Sequence, residues 1–289
     1  MNKDLTLVFS SYKSRNLLNK ILKKFNKIYK IIIIENSCDH EIKNHFEKKF
    51  KNIKVIIPNK NLGLAASYNL GLKYAKTEFV FLNNPDLNIS LLAVSQLLEC
   101  AKKIKNFGIM SPVYKNEKIY KNYENNFNNK KLNSPIGRKY NICEVDLIDN
   151  SFFVNRKKAL KNKFDENFFL YFETFDFSKN LKKKGFKLFV AQKIKFHHIG
   201  SSSLPKKYSN LVNKTRSFHY TWSKFYYFKK NFNYIFAFKK IIPNIVKSKK
   251  RLIKSFFMMD FYNLHLSLLE LKGIYYSMLN IKSSYRPKN

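Results

Sequence analysis

The sequence predicts an open, Rossmann-like α/β fold with a mostly parallel central sheet, followed by a basic helical extension. Three observations carry that prediction: apolar runs of strand length alternate with segments of helical spacing, Ile31 to Glu35 is β-branched through its first four residues, and acidic side chains nearly vanish after Pro205. A β-branched run without polar alternation suits a strand buried on both faces, the normal position in a parallel sheet.

Taken in order, Leu5 to Ser10 reads as a strand, Asn16 to Phe25 as a helix and Ile31 to Glu35 as a strand. Asp39 to Phe50 then reads as a helix, Val55 to Ile57 as a strand, Leu62 to Ala75 as a helix and Phe79 to Leu82 as a strand. This βαβαβαβ order implies right-handed crossovers between parallel strands. The segment from Glu78 to Asp86 runs an apolar strand into a carboxylate just after a proline. Proline fixes φ and pushes its predecessor toward extended geometry, so Asn84-Pro85-Asp86 presents its side chains in a set direction. Ligands of open α/β sheets bind outside the carboxyl ends of the strands, and a carboxylate there suits a metal-bound diphosphate. The plain alternative for Asp86 is an N-cap ahead of a helix near Ile89 to Ala101.

These segments are familiar as a set. Ser10-Ser11-Tyr12, Ile34-Glu35-Asn36-Ser37, Asn61-Leu62-Gly63 with Asn69-Leu70-Gly71, and Asn84-Pro85-Asp86 resemble, in order and spacing, the nucleotide-sugar half of family 2 glycosyltransferases of the GT-A fold. The second half also resembles that family, through Asp149 to Val154, Phe164 to Glu173, Lys184-Gly185-Phe186 and Phe196 to Ser201. The resemblance spans residues 4 to 203, so residues 1–204 are expected to form a GT-A domain and 205–289 a basic amphipathic helical region.

Composition agrees with a catalytic domain plus an appendage. The chain has 289 residues, 45% hydrophobic, enough for a sizeable core and unlike a disordered polar chain. Four of its seven glycines, Gly63, Gly71, Gly185 and Gly200, fall inside the motifs, which suggests required backbone positions. The net charge is +37, carried by 50 Lys and 6 Arg. Nucleic-acid readers favour Arg for bidentate contacts, and no helix-turn-helix, RNP or zinc-finger pattern occurs, so no nucleic acid is expected as partner. A negatively charged membrane surface is the expected acidic partner, since each Lys beside one contributes about 1 kcal/mol. Cys38, Cys100 and Cys143 lack CxxC spacing and read as reduced thiols. Met-Asn-Lys-Asp leads straight into the first strand without a signal peptide, and no window holds 18 uncharged apolar residues, so a cytoplasmic protein on the inner face of the cell membrane is expected.

From Pro205 onward, 18 Lys and Arg stand against only Asp260 and Glu270. Leu211, Thr215, Phe218, Trp222, Phe225 and Lys229 recur at helical spacing, and so do Phe257, Phe261, Leu264, Leu268, Leu271, Tyr275 and Met278. Two amphipathic helices follow, whose stripes pack on the protein, lie in a membrane interface or pair as a coiled coil.

The resemblance also implies site roles. Asp86 stands at the family's metal-binding aspartate, and hard oxygen ligands suit Mg²⁺ or Mn²⁺. Asn84 replaces the first aspartate of the usual pair. His197 stands where related enzymes place a metal-contacting histidine, and a structural His197-His198 pair is the alternative. Ser11, Tyr12, Glu35 and Asn36 bind the donor nucleotide: Tyr12 stacks on or flanks the nucleobase, Glu35 occupies the usual place of an aspartate, and Asn36 offers an amide to the base. Left to themselves, Tyr12 reads as packing and Asn36 as a turn former. Asn61, Gly63 and Asn69 surround a helix start that favours the donor's negative groups, with Asn69 as a donor contact. Ala66-Ser67-Tyr68 replaces smaller residues and narrows that pocket. An inverting transfer needs a carboxylate to take the acceptor proton. The family's Glu-Asp-x-Asp reads here as Glu173-Thr174-Phe175-Asp176; Thr174 cannot be the base, and Glu173 is favoured over Asp176 on the same helix face. A solvated pair stabilised by the helix dipole is the alternative.

The implied activity is transfer of a sugar from a nucleotide-diphosphate donor, dTDP-rhamnose or a UDP-sugar, to a lipid-linked or cell-surface polysaccharide acceptor. Asn-Pro-Asp and Asp-Asn motifs are shared with rhamnosyltransferases and point to the deoxythymidine donor. The rival readings are a catalytically lapsed, membrane-associated glycosyltransferase-like protein and a basic nucleic-acid-binding module.

Overall fold

The computed structural model describes residues 2–114, 123–124, 130–198 and 208–286. The chain divides into two compact units, one of Met1–Leu62, Ala66–Phe164 and Phe177–Leu204, the other of Gly63–Ala65, Asp165–Asp176 and Pro205–Asn289. The expected motif residues Ile199, Gly200 and Ser201 lie outside the described residues.

The first unit opens as expected with β1 (Leu5–Ser11), α1 (Arg15–Phe25), β2 (Lys30–Glu35), α2 (His40–Lys49), β3 (Ile53–Ile56), α3 (Gly63–Tyr74) and β4 (Phe79–Asn83). Asp39 caps α2 by accepting from the N–H groups of Glu41 and Ile42, the role its position before an apolar-periodic run suggests. After β4 come β5 (Leu87–Asn88), α4 (Leu91–Lys103), β6 (Phe107–Tyr114), β7 (Tyr123–Glu124), β8 (Lys130–Lys131), α5 (Pro135–Tyr140), β9 (Ile142–Val145), β10 (Leu147–Ile148), β11 (Phe152–Asn155), α6 (Arg156–Lys161), α7 (Glu173–Lys183) and β12 (Lys187–His198). The side chain of Ser90 caps α4 through the Ala93 N–H. Asp86 is therefore not that helix's cap.

The sheet runs β3-β2-β1-β4-β11-β6-β12-β9-β8, with β5 attached to β12. The first four strands are parallel. β11 inserts antiparallel between β4 and β6, while β6 and β12 are parallel. Strands β7 and β10 form a separate antiparallel ladder. The register that sets Phe153 opposite Phe81 stacks their rings at 4.7 Å, and such pairs add about 1 kcal/mol beyond area burial. Helix α3 lies so close to β1 that a Cβ on Gly71 would sit 2.3 Å from Val8 Cγ1. Leu5, Leu7, Phe9, Ile31 and Ile33 join α1, α2 and α4 side chains in one core.

The second unit holds α8 (Ser209–Asn231), α9 (Tyr234–Phe257) and α10 (Phe261–Met278). Two helices were expected there and three form. Helix α9 was not expected, since its buried residues, Ala237, Ile241, Ser248 and Ser255, are mostly small or polar and mark no core-facing apolar stripe. The expected α8 stripe is core: Thr215, Phe218, Trp222 and Phe225 are buried. The expected α10 stripe is on the wrong face, for Leu268 and Tyr275 are exposed while Leu266, Leu269 and Ile274 are buried. Apolar residues surround α10 on most sides, so spacing alone cannot choose its inward face. Among the described residues no helix is long and apolar enough to cross a membrane.

Candidate active site

In the first unit, parallel strands bring the ends of β1, β2 and β4 to one edge of the sheet. The register pairs Ser11 with Glu35. Glu35 is fully buried, and its carboxylate accepts from Ser11 Oγ at 2.6 Å, Ser37 Oγ at 2.7 Å and the N–H groups of Lys13 and Ser37 at 3.1 Å. An unpartnered buried carboxylate would be expensive, whereas several charge-assisted hydrogen bonds make it a rigid anchor. That anchor sets the loop carrying half-buried Tyr12, whose next residue, Lys13, adopts a left-handed φ of 52°.

Two expected donor contacts have other occupations. Asn36 donates to Ser67 Oγ at 2.9 Å and accepts from the Leu62 N–H at 3.0 Å. Its amide thus fastens the approach to α3. Asn69 donates to the Phe164 carbonyl at 2.9 Å and accepts from the Phe164 N–H at 3.0 Å. A side-chain amide that matches both groups of one peptide residue is a clamp. Asn61 is half-buried just ahead of α3.

The Ser67-Tyr68 departure finds its reason here. Tyr68 is fully buried and its hydroxyl donates to Asn84 Oδ1 at 3.0 Å, while Asn84 Nδ2 donates to Asn150 Oδ1 at 2.9 Å. A side-chain amide can accept on one side and donate on the other, which an ionised carboxylate cannot. Asn84 is therefore matched to Tyr68 and Asn150, and aspartate would lose the second bond. The Tyr68 and Ser67 roles were missed because the sequence offered only their departure from smaller residues.

Asp86 follows in the turn after β4, and β5 immediately after it pairs antiparallel with the end of β12, setting His197 opposite Asn88. A bulge between Ala191 and Lys195 bends β12 before that pairing. The ladder so brings an oxygen ligand and an imidazole to neighbouring segments, a donor set that fits Mg²⁺ or Mn²⁺ when diphosphate oxygens and water complete the shell. Among the described residues no group of three or more His, Cys, Asp or Glu converges as a metal cage.

In the second unit, Gly63 has φ 76° and a Cβ there would meet the Phe169 carbonyl oxygen at 2.2 Å. The same carbonyl accepts from the Leu64 N–H at 2.8 Å. One backbone N–H at this start of α3 is thus taken by the Phe169 carbonyl. Tyr171 and Phe172 both hold left-handed φ values, 70° and 65°, directly before Glu173. Each costs of order 1–3 kcal/mol and persists where packing over-determines it, a situation that clusters at functional sites. Here the packing is aromatic, Tyr171 against Tyr220 and Phe172 against Tyr227.

Glu173 and Asp176 both lie in the first turn of α7 and are buried, so neither is the solvated pair that was the alternative. Thr174 between them is wholly buried. Asp176 accepts from Lys230 Nζ at 2.7 Å and from Asn231 Nδ2 at 2.8 Å. Lys230 also reaches Asp165 at 2.8 Å, and Tyr226 donates to the same Asp165 oxygen at 2.9 Å. Burial acts to raise the Asp165 carboxyl, but Lys230 and its other hydrogen-bond donors outweigh it and hold it below the usual carboxylate range. Lys230 carried no signal in a tail full of lysines.

A sheet of this topology, with a carboxylate just after β4, is that of the GT-A fold. Residues 11–164 match the model of glycosyl transferase family 2, and the chain belongs to that family; it is a glycosyltransferase. Two solved structures share the fold. One is the mannosyltransferase PcManGT from Pyrobaculum calidifontis in complex with GDP-Man and Mn²⁺, at TM-score 0.57 and 9% identity, covering 97% of this chain and 88% of that one. The other is GalNAc-T7 with UDP, GalNAc and Mn²⁺, at TM-score 0.55 and 13% identity, covering 78% of this chain and 50% of that one, so the match spans half of the latter's length. No curated protein matches the chain in sequence.

Proposed function

We propose that the chain is an inverting glycosyltransferase that moves a sugar from a nucleotide-diphosphate donor to a lipid-linked or cell-surface polysaccharide acceptor on an anionic, cytoplasmic membrane face. The observation that carries the reading is the β5–β12 pairing, which places Asp86 and His197 on neighbouring segments beyond the end of β4. Both solved neighbours bind a nucleotide or nucleotide sugar together with Mn²⁺. When bound, a divalent cation supplies electrostatic stabilisation of the departing diphosphate, and Asp86 and His197 would hold it. Ser11 and Tyr12 flank the nucleobase on the loop that Glu35 anchors. Asn36, Asn69 and Asn84 position this wall rather than touch the donor, and Asn61 shapes its edge.

Glu173 accepts the proton of the acceptor hydroxyl as that hydroxyl attacks the anomeric carbon, and the nucleoside diphosphate leaves from the opposite face. Asp176, committed to Lys230 and Asn231, fixes the first turn of α7. The Asn-Pro-Asp and Asp-Asn motifs favour dTDP-rhamnose over a UDP-sugar. The test is donor hydrolysis across a panel of nucleotide sugars with Mn²⁺. Metal-dependent turnover of one donor is expected, and no turnover of any donor by the wild-type protein would overturn the reading.

A further inference from the structure

Helix α9 buries only Ala237, Ile241, Ser248 and Ser255 of its 24 residues. Beside that narrow face runs a second apolar stripe, Ile235, Phe238, Ile242, Val246 and Ile253, whose members remain 42% to 69% exposed. Their spacing of 3, 4, 4 and 7 keeps them on one side of the helix. The stripe ends at the α9–α10 corner, where Phe256, Phe257, Met258, Met259 and Phe261 are 65% to 79% exposed. Solvent-exposed runs of five large apolar side chains are unusual on a monomer and mark an interaction surface.

The corner is a built structure. The Met259 N–H donates to the Phe256 carbonyl at 3.2 Å and the Asp260 N–H to the Ser255 carbonyl at 2.8 Å, closing the helix end. Met259 takes the left-handed position, φ 53°, which glycine would fill without strain. Asp260 turns its carboxylate back onto Asn263 as the α10 cap. No acidic side chain thus points out among the exposed apolar ones. Along α9 there are six lysines and Arg251 and no acidic residue; Arg251 pairs inward with Glu270 at 2.8 Å.

We propose that α9 and its corner with α10 dock on an anionic lipid bilayer, with the apolar stripe and corner entering the headgroup–acyl boundary and the lysines meeting lipid phosphates. The inference rests on the membrane-side reading above and assigns the contact to a surface. Charge complementarity selects this occupant: a second copy would bring two chains of net charge +37 together, whereas an anionic leaflet attracts them. Nucleic acid would use the lysines and could stack on the corner phenylalanines, but it would leave the aliphatic stripe of Ile235, Ile242, Val246 and Ile253 in water, whereas a bilayer takes up the whole apolar face. A helix with an apolar face, basic flanks and too little hydropathy to cross lies in the interface plane.

The test uses the full chain with vesicles of phosphatidylcholine, alone or with about one-third phosphatidylglycerol. The wild type should partition onto the anionic vesicles, with Phe256→Ser/Phe257→Ser lowering the partition about tenfold or more and Lys247→Glu/Lys250→Glu/Lys254→Glu removing its salt-sensitive part. Both variants change exposed residues, so circular dichroism and nucleoside-diphosphate binding should match the wild type. A wild type that ignores anionic vesicles overturns the membrane-side reading itself. Undiminished binding by the phenylalanine variant overturns only the assignment to this corner. A dimer in sedimentation that the phenylalanine variant abolishes would name a second copy as the occupant instead, and oligonucleotide binding lost only in the lysine variant would name nucleic acid.

Discussion

Lys230 Nζ lies 2.7 Å from Asp176 Oδ2, and the same ammonium serves Asp165. A carboxylate already ion-paired and hydrogen-bonded has little reason to accept a proton from a substrate. Glu173→Gln should therefore keep donor affinity and lose transfer by about 100-fold or more, the scale of general-base catalysis. Asp176→Asn should act mainly on stability, since it leaves Lys230 with one carboxylate partner. Single-turnover transfer beside urea unfolding separates the two. Small, equal kinetic losses would favour a lapsed enzyme.

Asp86 ends a turn and supports little core packing. Asp86→Ala should abolish metal-dependent binding of a nucleoside diphosphate while the melting temperature changes by only a few degrees. Titration calorimetry with and without Mn²⁺ is the check, and wild-type affinity in the variant would remove Asp86 from the metal.

Asn84→Asp restores the family's more usual acidic residue, yet it should not strengthen metal binding. The new carboxylate would face Asn150 Oδ1, now 2.9 Å from the amide it replaces, and lose that hydrogen bond, a cost of about 1–3 kcal/mol. A lower urea midpoint with unchanged or weaker Mn²⁺ affinity is expected. Asn84→Asp/Asn150→Asp should not rescue it, because the second aspartate supplies no donor and two carboxylates would then repel.

His219 gives the protein a pH dependence. Its ring is wholly buried, with Nε2 at 2.7 Å from the Tyr285 carbonyl and Nδ1 at 2.8 Å from Ser283 Oγ. Burial, opposed by the Tyr285 carbonyl and reinforced by the Arg286 charge, pushes its pKa down to about 3. The unfolded chain binds that proton near the ordinary value of about 6.5, so between these values protonation favours unfolding. Stability should be full above about pH 6.5 and fall by roughly 2 kcal/mol by pH 5, one proton's slope. Urea unfolding at the two pH values measures it, and His219→Gln should flatten the slope.

The parallel half of the sheet was legible because its strands are apolar runs that need no tertiary knowledge, and Asp39 announced α2 through its capping chemistry. Asp86 and His197 were legible as positions. The occupations of Asn36 and Asn69 were not, because an amide's partners, here Ser67 and the Phe164 backbone, lie up to 95 residues away. Helix α9 was hidden for a different reason: its buried face is Ala and Ser as much as Ile, and its largest side chains point outward.

The second unit draws Gly63–Ala65 and Asp165–Asp176 into a cluster with residues beyond 204. On the ribosome, the strained turn at Tyr171 and Phe172 and the carboxylates Asp165 and Asp176 therefore wait for Tyr220, Tyr227 and Lys230 to emerge, tens of residues later. The sheet, complete by β12, has all its strands before then. Acquisition of the Glu173 geometry is thus a late, non-local event in synthesis. A nascent chain halted before α8 should present a folded sheet and no competent base, so transfer cannot begin until the helical unit has closed around α7's first turn.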